Sequence, residues 1–140
     1  WSSDVCSSDL SVELGFYFYL GFFLWIIGFL FETIADHQKY LFKKNKLNKN
    51  KFISSGLWSI SRHPNYFGEI ILWLGIYIVS FPTLSGLQHL AIISPLFVYI
   101  LLTRISGINL LEEIGDRRWG SNTEYKNYKK NTPILFPKLF

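Results

Sequence analysis

One short run in a mostly apolar chain gathers several residue types that could do chemistry, Arg62-His63-Pro64-Asn65-Tyr66, followed closely by Gly68 and Glu69. Proline disfavours helical geometry at His63 and is well suited to the first position of a new helix. Asn65 and Tyr66 then fall near a helix N-terminus, where free amides and the dipole favour an anion. Glu69 lies one turn into an apolar helix, and a carboxylate there needs a cation or a polar ligand group. Arg104 is the next charged residue after Glu69. Its guanidinium can fork onto a phosphate, pair with Glu69, or mark a helix end by snorkelling. Upstream, Asp36, Lys39 and Lys43 share one helix face. Two lysines four residues apart repel unless an anion lies between them, or they snorkel towards lipid phosphates. Glu112, Glu113, Tyr125 and Tyr128 offer either site residues or an interfacial aromatic belt.

Other chemistries find no support. No Ser-His-Asp arrangement, His/Cys metal spacing or glycine-rich phosphate loop is present, so no metal is expected. The single cysteine, Cys6, permits no disulfide or thiolate argument.

These residues are separated by segments that only a membrane suits. Of 140 residues, 49% are hydrophobic and 17% charged, and the charges are segregated. An average soluble domain carries about 25% charged residues. Leu14–Phe31 and Ile70–Thr103 have no charged residue. The pattern predicts an all-α polytopic membrane protein with three transmembrane helices near Leu14–Lys43, Asn65–Ser80 and Leu87–Leu111. A kink is expected at Pro95, and Gly15, Gly21 and Gly28 are expected to admit a neighbouring helix. Asp36–Arg62 holds six Lys and one Arg against one Asp, the turn Phe81–Gly86 holds no charge, and the amphipathic tail from Glu112 holds four Lys and two Arg. The positive-inside rule puts loop 36–62 and tail 112–140 in the cytoplasm. Because the basic residues cluster at membrane-helix ends, nucleic acid is not an expected partner.

Residues 1–10 read as the in-frame translation of a sequencing adaptor and are expected to be a non-native leader. Without Asp4 and Asp9, 14 bases stand against 8 acids. With no Met in the chain, the natural protein is expected to begin upstream of Ser11, and residues 11–140 form one membrane domain incomplete at its N-terminus.

Three stretches form an ordered set: Ala-Asp-His-Gln-Lys-Tyr-Leu-Phe (35–42), Gly56 to Glu69, and a tail with Leu111-Glu112-Glu113, Trp119-Gly120, Tyr125, Tyr128 and Pro133. The set resembles the C-terminal half of the steroid 5-alpha-reductase superfamily, especially its bacterial members, over nearly all of residues 11–140. That resemblance implies a bacterial inner-membrane reductase using NADPH to reduce the C=C bond of a hydrophobic, lipid-like enone. Carried over by motif, Asp36, Lys39 and Lys43 approach the adenosine phosphates. Trp58, Arg62, His63, Asn65, Tyr66 and Glu69 form the central cofactor motif, while Arg104, Glu112 and Tyr128 add contacts from the last helix and tail. The pair that activates the substrate ketone lies on earlier helices of such enzymes, so those helices are an implied partner and no catalytic residue is assigned here. Isoprenylcysteine- and phospholipid-type methyltransferases, which use S-adenosylmethionine, are also similar around Arg-His-Pro-x-Tyr and the tail. A non-catalytic membrane protein keeping the binding shell is a further alternative.

Overall fold

The computed structural model describes residues 15–105 and 107–139; the leader and Leu14 lie outside the described residues. Helix α1 runs Phe16–Lys44 and α2 runs Pro64–Ser80. The third apolar stretch comprises a 3-10 segment Gly86–Ile92, helix α3 Ile93–Ile100 and a π turn Leu101–Ile105. Helices α4 (Ile108–Trp119) and α5 (Thr123–Asn131) follow. The described residues contain no strand, and three helical stretches are long and apolar enough to cross a membrane.

At 29 residues α1 is about 43 Å long, well over a hydrocarbon core of about 30 Å. Its last turns therefore emerge at a membrane surface, carrying Asp36, Lys39 and Lys43 with them. Lys43 and Lys44 complement the dipole at its C-terminus. Proline begins α2 as expected, with His63 held out of the helical region at φ −136°, ψ 63°.

The first two helices run antiparallel and touch backbone to backbone. A Cβ on Gly21 would meet Gly75 O at 2.6 Å, and one on Gly28 would meet Gly68 O at 2.5 Å. Each pair is reciprocal, and the seven-residue spacing matches on both helices, so glycine sets the approach at two levels. Gly21 and Gly28 thus meet the expectation; Gly15 instead caps α1 and is exposed.

The third stretch, where a kink is expected at Pro95, is irregular on both sides of α3. Pro95 falls in the first turn of α3, directly after the change from 3-10 to α-helix, where its missing N–H is tolerated. A second irregularity lies downstream, at the π turn and at Gly107, where a Cβ would strike the carbonyl of Leu102. Beyond it, α4 brings Glu112 to Arg62 and His63, just before the start of α2.

Candidate functional site

Where α1 emerges, the loop and tail fold against it and enclose a cavity of about 350 Å³. Its first wall is α1, through Lys39, Phe42 and Lys43. The second is the short 3-10 turn Gly56–Ser59, which is bolted to α1 by two bonds. The buried Trp58 donates from Nε1 to the Ala35 carbonyl at 3.1 Å, and the Leu57 amide donates to Gln38 Oε1 at 3.0 Å. Gly56 takes φ +62° directly beneath Gln38, where a Cβ would collide with that side chain. Lys39 Nζ lies 5.1 Å from the Trp58 ring centroid, a cation–π contact.

Loop residues 48–53 form the third wall. Trp119 at the end of α4 donates from Nε1 to the Asn50 carbonyl at 2.6 Å, with Asn50 at φ +66°. Phe52 packs against Trp119, Tyr125 and Tyr128 at centroid distances of 6.0, 5.2 and 5.5 Å. Tyr128 closes the fourth wall by donating to the Trp58 carbonyl at 2.5 Å. Burial pushes its phenol well above the ordinary value, with Glu112 and Tyr125 adding to the rise against Arg62, so the hydroxyl remains a donor.

One carboxylate organises the floor. Glu112 on α4 accepts from Arg62 Nη1, pairs with His63 Nε2 at 2.9 Å and meets Lys129 Nζ at 3.1 Å. Burial alone would push Lys129 down, but its bonds to Asp116 (2.7 Å) and Glu112 outweigh that and raise it. Arg62 Nε is buried with no hydrogen-bond partner among the described residues. Lys39, Lys43, Lys49, Lys51, Arg62 and Arg118 all line the cavity against the single carboxylate Glu112, which is already engaged. Such a donor set fits a polyanion: it offers fixed positive charge, an unmet guanidinium N–H and aromatic faces.

Of the residues expected to gather here, Lys39, Lys43, Trp58, Arg62, His63, Glu112 and Tyr128 line the cavity. The other five lie outside its lining. Asn65 donates to Asp36 Oδ1 at 3.1 Å, bridging the first two helices beside the cavity. Tyr66 stacks on His63 at 5.7 Å, and Glu69 is half-buried a turn further along α2. Arg104 corrects the expectation most. It is exposed on the π turn, outside the cavity lining, and forms no ion pair with Glu69.

Sequence reasoning missed the loop pair Lys49 and Lys51, Arg118, and the Phe52 contact with Trp119. Only the lysine density of the loop and the Trp119-Gly120 signature hinted at them. It also missed Lys129 as a partner of Glu112.

The family described as protein of unknown function (DUF1295) matches residues 4–132. A probable 7-dehydrocholesterol reductase of Acanthamoeba polyphaga mimivirus is 29% identical over 93% of this chain and 31% of its own length. The 3-oxo-5-alpha-steroid 4-dehydrogenase 1 of Rattus norvegicus is 28% identical over 86% of this chain and 41% of its own. A probable O-methyltransferase of Ustilaginoidea virens, ustE, is 34% identical over 51% of this chain and 25% of its own. The chain thus spans well under half the length of these relatives, and no solved structure matches it significantly. With the family match covering most of the chain, and steroid and sterol reductases among its relatives, the chain belongs to the DUF1295 family within the steroid 5-alpha-reductase superfamily.

Proposed function

We propose that this chain is the cofactor-holding part of an NADPH-dependent membrane reductase acting on the C=C bond of a lipid-like enone. The observation that carries the reading is the cavity's charge: six cationic side chains against one carboxylate that is already engaged. The cavity volume is at the small end of the roughly 300–1,000 Å³ typical of ligand pockets. It therefore suits the phosphate-bearing end of a dinucleotide, with the remainder directed towards Asn65, Tyr66 and Glu69 on α2.

NADPH, when bound, supplies the hydride that reduces the activated double bond. The chain's own residues bind and orient. Lys39 and Lys43, on a rigid helix end, present charge to phosphate; Arg62 is pre-aimed by Glu112, which limits the reorganisation needed on binding. Tyr128 and Ala35 hold Trp58 from opposite sides as a fixed wall. Asn65, Tyr66 and Glu69 open α2 next to the bilayer, where a hydrophobic substrate arrives. By resemblance, the groups that polarise the substrate ketone belong to helices preceding this chain.

A second reading, an S-adenosylmethionine-dependent methyltransferase, is favoured by the likeness to the probable O-methyltransferase. Its cofactor carries a sulfonium and an ammonium against one carboxylate, so the cavity's excess of cations works against it.

Titrating NADPH, NADH and S-adenosylmethionine at fixed salt into the chain in lipid nanodiscs, followed by tryptophan quenching, separates the readings. NADPH is expected to bind tighter than NADH, and Lys43→Ala to narrow that difference. Losing a charge-assisted contact costs about 1.5–3 kcal/mol, roughly a ten- to hundred-fold loss in affinity. Binding of S-adenosylmethionine alone refutes the reductase reading.

A further inference from the structure

Beyond α5 the chain runs as a strap, residues 133–139, bent at 134–136, across the segment that leads into α2. The Arg62 amide donates to the Pro133 carbonyl at 2.9 Å, and the Lys138 amide to the Ile60 carbonyl at 2.8 Å. Between them, Ser61 Oγ donates to the Leu135 carbonyl at 2.8 Å. Leu135 faces inward and is 3% exposed. The side chains on either side of Leu135 face out. Ile134 is 42% exposed, Phe136 66% and, further on, Leu139 74%.

Two observations identify what covers this outward row. The strap sits at the level where α2 begins: the ring of Phe136 meets Phe67, in the first turn of α2, edge to face at 6.2 Å. Its apolar edge is therefore continuous with the flank of a membrane-spanning helix. Lys138 within the strap and Lys130 just before it have no ion-pair partner among the described residues. Apolar side chains beside unpaired lysines at the end of a span match the chemistry of an interfacial segment on an anionic leaflet.

We propose that the strap is an interfacial membrane anchor. Ile134, Phe136 and Leu139 enter the boundary between headgroups and acyl chains, while Lys138 meets lipid phosphate. Because the same strap is bonded to Ile60, Ser61 and Arg62, it fixes the height of the Arg62-His63 motif relative to the bilayer. The proposal stands apart from the identity of the cofactor.

The test uses the chain with Cys6 replaced by Ser and single cysteines carrying nitroxide labels at Phe136, Leu139 or Lys126, in vesicles of phosphatidylcholine and phosphatidylglycerol. At Phe136 and Leu139, collisions with oxygen are expected to exceed those with a water-soluble nickel chelate several-fold, and at Lys126 the order is expected to reverse. As a check that does not rely on labels at the anchor's tip, a label at Ile134 in a Phe136→Gln, Leu139→Gln background is expected to shift towards the nickel reagent. Dominance of nickel at Phe136 and Leu139 overturns the proposal. Spin–spin broadening, meaning a second copy covers the strap, overturns it too, as does shielding from both reagents, meaning another protein segment does.

Discussion

Replacing Gly68 by alanine sets two effects of opposite sign against each other. Alanine is favoured over glycine inside a helix by about 0.8–1.0 kcal/mol. A Cβ at this position, however, would lie 2.5 Å from the Glu32 amide nitrogen and 2.6 Å from the Gly28 carbonyl. Both are backbone atoms, so no side chain can swing aside. Ordinary contact begins at 3.4 Å, so the first two helices must part by about 0.9 Å at this end. Overpacking of that kind costs about 1–3 kcal/mol, giving a net loss of about 1 kcal/mol. A single variant can relax by pivoting on the intact contact between Gly21 and Gly75. Gly75→Ala added to it removes the pivot, and the pair is expected to lose about 3 kcal/mol, more than the two single losses combined. Thermal unfolding in detergent, followed by circular dichroism, reads these values. Gly86→Ala is the control, since nothing lies within 4 Å of its Cβ and only its φ of +52° matters. If Gly68→Ala raises stability by about the 1 kcal/mol of helix propensity, the backbone contact is not as described.

Arg104→Ala is expected to leave NADPH affinity within about two-fold, since Arg104 is exposed and outside the cavity; a loss of ten-fold or more, the scale of one charge-assisted contact, would restore it to the site. For Tyr128, burial raises the folded phenol above the ordinary 10.0, so the native state holds this proton longer than the unfolded chain. Its contribution is therefore complete below pH 10 and declines above it; stability measured from pH 8 to 11 is expected to fall more steeply in the wild type than in Tyr128→Phe. Cysteines at Asn48 and Ser85, placed at opposite ends of the spans in a Cys6→Ser background, are expected to react with a membrane-impermeant reagent from opposite faces of sealed vesicles. Labelling from the same face refutes the topology.

The membrane-spanning layout was legible because lipid and water impose opposite demands on charge, and this sequence keeps the two apart by whole segments. Proline at position 64 marked the start of α2 for a local reason, its fixed φ and missing N–H. Seven of the twelve expected site residues met in one cavity because the Arg62-His63 motif and the emerging end of α1 are each rigid and adjacent. What stayed hidden depends on register and on pairing between distant segments. A lone arginine after a long apolar run reads equally as a phosphate ligand, a partner of Glu69 or a helix-end marker, and its exposure on the π turn is not written in any spacing. Glu112 collects Arg62, His63 and Lys129 from two distant parts of the chain, and no spacing rule contains that set. The strap, with Pro133 and Pro137 in it, reads as loop, yet its carbonyls and amides bond to a segment some seventy residues earlier.

The π turn at Leu101–Ile105 has a counting consequence. Its bonds close over one residue more than those of an α-helix, so the turn stores a single surplus residue without severing the helix. Deleting one residue from this stretch converts the stored loop back to α-helical spacing. Everything before and after it keeps its face, because the bulge had absorbed the extra residue instead of passing it on as a rotation of about 100°, one residue's share of a 3.6-residue turn. The stretch acts as slack: α3 would go on presenting the same face to α2, and α4 would keep Glu112 engaged with Arg62 and His63. The membrane half and the charged half of this chain can thus lose a residue between them with the cavity left standing.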